Sequence, residues 1–277
     1  MKINIAKSSG FCFGVKRAID LSIKLAEERK KVFVLGDIVH NSFVVSDLRK
    51  KGIKKISRIK PAVNSTLIIR AHGAPRKTFQ KAISSGYTIV DATCPKVKAI
   101  YKIARHLEKH NTIIIIGDNN HAEVKGIAGQ LETKPLTIET SKDLPLKKLR
   151  RVKKAAVITQ STQTIDNINA IMTCLKPIIP ELKLYNTTCR TTRTKQQEIK
   201  SMPKENDLML IIGSKRSANT KRLYQISKNI NKKTYWIEHA GELESEWLNN
   251  IESIGIMSGA STPDHVTQEV VRRLKPR

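Results

Sequence analysis

The sequence predicts an α/β fold built as three similar lobes, each with a small, mainly parallel sheet, in a pseudo-threefold arrangement around one central site. Three observations predict it. Apolar, β-rich runs alternate along the chain with helical patterns, as expected of strands joined by crossover helices. Nine such runs end in small or polar residues, three of them at a cysteine. The chain has 277 residues, 39% hydrophobic and 27% charged, which is enough apolar chain for real cores and unlike a disordered composition.

The first run, KINIAKSSGFC (Lys2 to Cys12), precedes Val15, Ala18, Ile19, Ile23 and Ala26 at helical spacing. VFVLGDIVHN (Val32 to Asn41) and LIIRAHGAP (Leu67 to Pro75) follow, each ending in polar residues. YTIVDATC (Tyr87 to Cys94) is next, and Pro95 behind it suits a first helical turn. Val97, Ile100, Ile103, Ala104 and Leu107 continue that helix. IIIIGDNNHAE (Ile113 to Glu123) leads into a helical pattern of Val124, Ile127, Ala128 and Leu131. AAVITQST (Ala155 to Thr162) is followed by INAIMTCLKP, a helical pattern that places Cys174 in the core. LKLYNTTC (Leu182 to Cys189) gives way to a polar stretch with little helical period. LMLIIGSKRSAN (Leu208 to Asn219) and IGIMSGAST (Ile254 to Thr262) close the series, with helical patterns at Leu223, Ile226 and Ile230 and at Val266, Val270 and Leu274. One cysteine run and two polar runs per third use all nine. The expected lobes are residues 1–94 (with 1–13 reaching the centre), 95–189 and 190–277, without a Pro/Gly-rich linker to sharpen the boundaries.

The charge is the most unusual bulk property: 51 Lys and Arg against 24 Asp and Glu, a net +27. Nucleic-acid binders focus such charge and offer aromatics for base stacking. Here aromatics are 4%, the densest basic run is KKLRRVKK (Lys147 to Lys154), and no RNP1, zinc-finger or basic-zipper string occurs. A solvated Lys-rich surface is therefore the preferred reading, with a basic RNA-binding protein as the rival. The field would attract anionic substrates and acidic partners. No apolar run approaches the roughly 20 residues of a membrane span. The N-terminus lacks a secretory signal. The expectation is a cytoplasmic monomer.

Cysteines are rarely disulfide-bonded in that compartment. Cys12, Cys94 and Cys189 share a strand-end position, where α/β sheets bind ligands. Thiolates in such a set select zinc, copper(I) or an iron–sulfur cluster. A cluster on three cysteines leaves one iron open, and a three-Cys zinc hydrolase is the rival. His40, His72 and His121 also end apolar runs, as do Ser217, Asn219 and Ser261. Together they suit an anion cage, whereas any one His would more often be structural. Glu123 opens a helical pattern, where it would complement the helix dipole or, beside a metal and an anion, serve as general acid.

Taken together the motifs resemble the LytB family, the 4-hydroxy-3-methylbut-2-enyl diphosphate reductases of the non-mevalonate isoprenoid pathway. The strings that carry the resemblance are GFCFGVKRA, DIVHN, RAHGAP, DATCPKV, HAEVKG, TQST, NTTC, GSKRSANTKRL and SGASTP, in the family's order over the whole chain. The resemblance implies a 4Fe–4S cluster held by Cys12, Cys94 and Cys189, its fourth iron open to the substrate, so that the central site is an iron–sulfur site. It implies a diphosphate held by residues matching His40, His72, Ser217, Asn219 and Ser261, with His121 lining the pocket. Glu123 matches the proton donor. Ser161 matches a hydroxyl residue, usually Thr, that bonds the substrate, and its neighbour Thr162 is assigned the same surroundings. The implied reaction is a reductive dehydroxylation to isopentenyl and dimethylallyl diphosphates, with electrons from ferredoxin, flavodoxin or a similar carrier.

Several positions depart from the family's pattern. Ala122 and Lys125 stand where Pro and Glu are common, and Asn186 where Asp is. Ala218, within the substrate-lining string, replaces a second Ser and removes one side-chain contact. Lys195-Gln196 stands for the usual Arg-Gln. All of these leave the expected ligands and acid in place.

Overall fold

The computed structural model describes residues 1–275; residues 276–277, the end of the expected third lobe, lie outside the described residues. The chain begins with β1 (Lys2–Ile5), α1 (Phe13–Glu28), β2 (Val32–Leu35), α2 (Ser42–Lys50), β3 (Lys54–Ile56) and β4 (Ser65–Ile69). It continues with α3 (Arg76–Ser84), β5 (Tyr87–Asp91), α4 (Pro95–Glu108), β6 (Thr112–Ile116), α5 (Ala122–Ala128) and β7 (Leu136–Ile138). Then come α6 (Leu146–Leu149), β8 (Lys154–Thr159), α7 (Ile165–Leu175), β9 (Glu181–Tyr185) and α8 (Arg190–Glu205). The last elements are β10 (Leu208–Ile212), α9 (Ala218–Ile230), β11 (Thr234–Ile237), two short 3₁₀ turns, β12 (Ser253–Ser258) and α10 (Asp264–Leu274).

Among the described residues the strands form three four-stranded sheets, β1-β12-β10-β11, β3-β2-β4-β5 and β7-β6-β8-β9, paired in parallel throughout. This is the α/β architecture that the alternating pattern predicts. The three sheets share one internal order. A strand leading to a cysteine lies at one edge (β1, β5, β9), two strands lie inside, and a short strand closes the other edge. The chain therefore repeats a pattern of one cysteine and two polar loops three times.

Two compact units are distinguishable by their internal packing. The first comprises Met1–Lys16, Val39–Asp47 and the chain from Arg190 onward, and contains the β1-β12-β10-β11 sheet. Its strand β10 turns Leu208, Leu210 and Ile212 to a core with Val266, Val270 and Leu274 of α10. Met209 and Ile211 face the other way, toward Ile199, Met202 and Leu223 of α8 and α9. Continuous apolar runs with both faces covered are what a helix-flanked parallel sheet requires.

The second unit comprises Arg17–Ile38 and Leu48–Cys189, and contains the other two sheets. In it the run Ile113 to Ile116 splits by side. Ile113 and Ile115 join Val97, Ile100, Ala104 and Ile127, whereas Ile114 and Ile116 join Ile168, Ile171 and Leu175. Cys174 departs from the expectation. It lies on α7 but is only half-buried, because the buried stripe of that helix runs through Ile168, Ile171, Met172 and Leu175.

The polar stretch after Cys189 is a 16-residue helix, α8. Its buried residues are Thr192, Lys195, Gln196, Ile199, Met202 and Pro203. The helical spacing is regular, but three of those six positions are polar, so the hydrophobic period of the helix is weak. Among the described residues no helix is long and apolar enough to cross a membrane.

Candidate functional site

In the second unit the polar loops after β6 and β8 meet around Glu123. The α5 N-cap is His121, whose Nδ1 accepts a hydrogen bond from the Glu123 backbone N–H at 3.1 Å. This fixes the first turn and turns the Glu123 side chain inward, where it is 2% exposed. Both carboxylate oxygens are held by one residue: the Ser161 N–H donates to Oε1 at 2.6 Å and its hydroxyl to Oε2 at 2.7 Å. A buried carboxylate needs such partners to offset its lost hydration. The loop that offers Ser161 is set by Gln160, which is fully buried. The Gln160 side chain accepts from the Asp118 N–H at 2.8 Å and donates to the Thr162 hydroxyl at 3.1 Å.

Ser161 also accepts the backbone N–H of Cys189 at its carbonyl, at 2.9 Å. One residue thus joins the expected acid to an expected thiol ligand. Cys94, the N-cap of α4, is anchored through its N–H to the Ala71 carbonyl at 2.9 Å. Burial pushes the Cys94 thiol up. Hydrogen bonds from the Lys96 and Val97 N–H groups work against that, while the charges of Cys189 and Glu123 add to it. Two thiols and a carboxylate in mutual electrostatic reach form a donor set whose chemistry suits a cation. The residues present therefore fit a thiophilic metal or cluster. Asp91 steadies the same loop by accepting from the Thr93 N–H at 3.0 Å and pairing with Lys98 at 2.6 Å. Burial pushes its carboxyl up, but the Lys98 and Thr93 hydrogen bonds outweigh it and hold the group below its ordinary 3.8.

His72 and His121 pack edge to face, with ring centroids 5.2 Å apart. Behind them Tyr101, buried on α4, donates to the His72 carbonyl at 3.5 Å. Burial, then the charges of Glu123 and Asp91, raise the phenol and keep it neutral. Gly73 makes this approach possible. Its φ is +76°, and a Cβ there would lie 2.0 Å from the Tyr101 hydroxyl.

In the first unit the ends of the adjacent strands β10 and β12 and the Cys12 segment form the second group. Ser217 caps α9 by accepting from the Thr220 N–H at 3.3 Å. Ala218 and Asn219 follow in the first helical turn, both buried. Asn219 is 5% exposed, and its Nδ2 has no hydrogen-bond partner among the described residues. A buried amide donor at a helix N-terminus with nothing to donate to suits an anion. Ser261, after β12, donates its hydroxyl to the His40 carbonyl at 3.3 Å. Next to it, the Ala260 carbonyl takes the Cys12 N–H at 3.0 Å. The Cys12 sulfur accepts from the Val15 N–H in the first turn of α1 at 3.4 Å.

The structure therefore brings Cys94, Glu123, Ser161, Thr162, Cys189, His72 and His121 into one unit, and Cys12, His40, Ser217, Ala218, Asn219 and Ser261 into the other. Gln160 lies in TQST and Tyr101 at a helical apolar position, and nothing in either segment singles the residue out. Asp91 stands in DATCPKV, and Lys195 is marked only by the Lys195-Gln196 departure.

Comparison with known proteins gives a consistent match. The family model described as LytB protein matches residues 3–275. The 4-hydroxy-3-methylbut-2-enyl diphosphate reductase of Geobacter sulfurreducens is 36% identical over 99% of this chain and 97% of its own length. The enzyme of the same name from Aquifex aeolicus is 36% identical over 99% and 96%. Among solved structures, one of (E)-4-hydroxy-3-methyl-but-2-enyl diphosphate reductase, described as the terminal enzyme of the non-mevalonate pathway, is 36% identical and covers 99% of both chains with a TM-score of 0.72. The Plasmodium falciparum E-1-hydroxy-2-methyl-but-2-enyl-4-diphosphate reductase is 29% identical and covers 99% of this chain and 88% of its own, with a TM-score of 0.89.

Proposed function

The chain belongs to the LytB family, and from that premise we propose that it reduces (E)-4-hydroxy-3-methylbut-2-enyl diphosphate to isopentenyl and dimethylallyl diphosphates. It is an oxidoreductase of non-mevalonate isoprenoid biosynthesis. The single observation that carries the finer reading is the Glu123–Ser161–Cys189 chain of hydrogen bonds, which ties a buried acid to the backbone of an expected cysteine ligand.

In this reading Cys12, Cys94 and Cys189 hold a 4Fe–4S cluster. When bound, that group supplies electrons singly and a Lewis-acidic iron for the substrate hydroxyl. The protein's own residues do the rest. His40, Ser217, Asn219 and Ser261, with His72 and His121, bind and orient the diphosphate by charge-assisted hydrogen bonds. The buried amide of Asn219 gains a partner on binding, because its Nδ2 has none among the described residues. Glu123 holds a proton at its carboxyl and delivers it to the departing hydroxyl, so that the C–O bond breaks with loss of water. Two electrons and a further proton, delivered to one or the other end of the allyl unit, complete the two isomeric products. Ser161 keeps the carboxyl in one rotamer for that transfer. The electrons come from a ferredoxin, flavodoxin or similar carrier, whose acidic surface suits a chain of net charge +27.

Anaerobic purification, or reconstitution with iron and sulfide, tests the metal assignment. The expected result is a brown protein with about four iron and four sulfide per chain. Zinc retained in place of iron would transfer the thiol set to the rival hydrolase. A colourless protein that takes up neither metal would overturn the site.

A further inference from the structure

Among the buried charges that the mechanism leaves unused, the most deeply buried is a lysine on α8. Lys195 on α8 is 1% exposed, which a lysine sustains only when its ammonium is well partnered. Its Nζ donates to the carbonyls of Ser8 and Ser258, the latter at 3.1 Å. One turn along α8, Glu198 grips the same residue from the other side. Its carboxylate accepts from the Ser8 N–H at 2.9 Å, the Ser8 hydroxyl at 2.5 Å and the Lys7 N–H at 2.5 Å. Spacing of three residues puts both side chains on one face of the helix. Ser8 therefore has its carbonyl, its amide and its hydroxyl all bound by one Lys-x-x-Glu pair.

That grip continues toward Cys12. The Ser258 N–H donates to the Ser9 hydroxyl at 3.0 Å, and the Gly10 N–H to the Ser258 hydroxyl at 2.6 Å. Gly10 has φ +86°, and a Cβ there would meet the Asp264 carboxylate at 2.4 Å. The Cys12 N–H then reaches the Ala260 carbonyl. Burial pulls the Lys195 ammonium down to about 8, while the negative charges of Cys12, Glu198 and Asp264 hold it up. Burial pushes the Glu198 carboxyl up, but its hydrogen bonds from Ser8 and Lys7 leave it below its ordinary value.

We propose that Lys195 and Glu198 form a clamp on Ser8 that presets the Cys12 loop as a cluster-ligand loop, with Lys195 acting as a positioning residue for Cys12. The proposal rests on the cluster assignment above only for its consequence, iron retention. The clamp itself is a property of the apoprotein.

The test uses full-length Lys195→Met, Lys195→Arg, Glu198→Gln and Cys12→Ser proteins. Hydrogen exchange of amides 8–12 is read in the apoprotein, and loss of iron to a chelator in the reconstituted protein. Lys195→Met should exchange at least about tenfold faster over 8–12 and release iron about tenfold faster, with the rest of the molecule unchanged. Lys195→Arg, which keeps charge and donors, should restore both. Parental exchange and iron retention in Lys195→Met would overturn the clamp. Should Lys195→Met fail to fold, Glu198→Gln decides: faster exchange over 8–12 supports the clamp, and parental exchange overturns it. Cys12→Ser judges the other premise. Parental iron in that variant would remove Cys12 as a ligand without touching the exchange result.

Discussion

Glu123→Gln should lower turnover by roughly 10²- to 10⁴-fold, the range a positioned general acid contributes, with iron content and diphosphate binding at parental levels. The amide is nearly isosteric with the carboxyl. Its oxygen can still accept the Ser161 N–H, and the Ser161 hydroxyl, which rotates, can accept from the new NH₂. The hydrogen bonds that hold the side chain therefore survive while the transferable proton is lost. Anaerobic rates with a reduced viologen dye as electron source, alongside iron analysis and substrate binding, separate the effects. Rates near the parent would remove Glu123 as proton donor. A loss of iron with the rate would instead make it a structural support of the Cys94 and Cys189 loops.

The second large effect concerns the thiols. Cys12→Ser, Cys94→Ser and Cys189→Ser should each reduce bound iron by at least about tenfold, the loss that removing a supporting residue alone can cause, and abolish the brown colour. Cys174→Ser should change neither. Cys174 is half-buried on α7 in the second unit and stands apart from the loops at the strand ends. Equal iron in all four variants would show that the metal does not bind through these cysteines. Loss confined to Cys94→Ser and Cys189→Ser would leave Cys12 outside the ligand set.

The nine strands read from apolar runs are all present, and the inner ones stand out because a strand buried on both faces must be apolar at nearly every position. The run Ile113 to Ile116, split between two cores, is the clearest case. The strands that escaped notice are β3, β7 and β11. They are three or four residues long, and each closes the edge of a sheet opposite the cysteine strand. Half-exposed edges such as Lys54–Ile56 carry charge and no period. Helix α8 is only weakly marked in the sequence, for a related reason. Its buried face spends positions on Lys195 and Gln196, chosen for hydrogen bonding and not for apolar packing.

The site was legible by residue type and strand-end position, since Cys, His and Glu are conspicuous at the ends of apolar runs. Its wiring was not legible. That Ser161 holds Glu123 with two hydrogen bonds and Cys189 with a third depends on loops 38 and 28 residues from one another along the chain. The Lys195–Ser8 contact spans 187 positions. Such pairings are set by the sheet order, which a linear reading does not supply.

The most direct test of the account is conversion of the diphosphate substrate itself. The anaerobically reconstituted protein, given (E)-4-hydroxy-3-methylbut-2-enyl diphosphate and a reduced one-electron donor, should release isopentenyl and dimethylallyl diphosphates while consuming two electrons per substrate. An iron-loaded protein that binds the diphosphate yet returns it unchanged under those conditions would contradict the account.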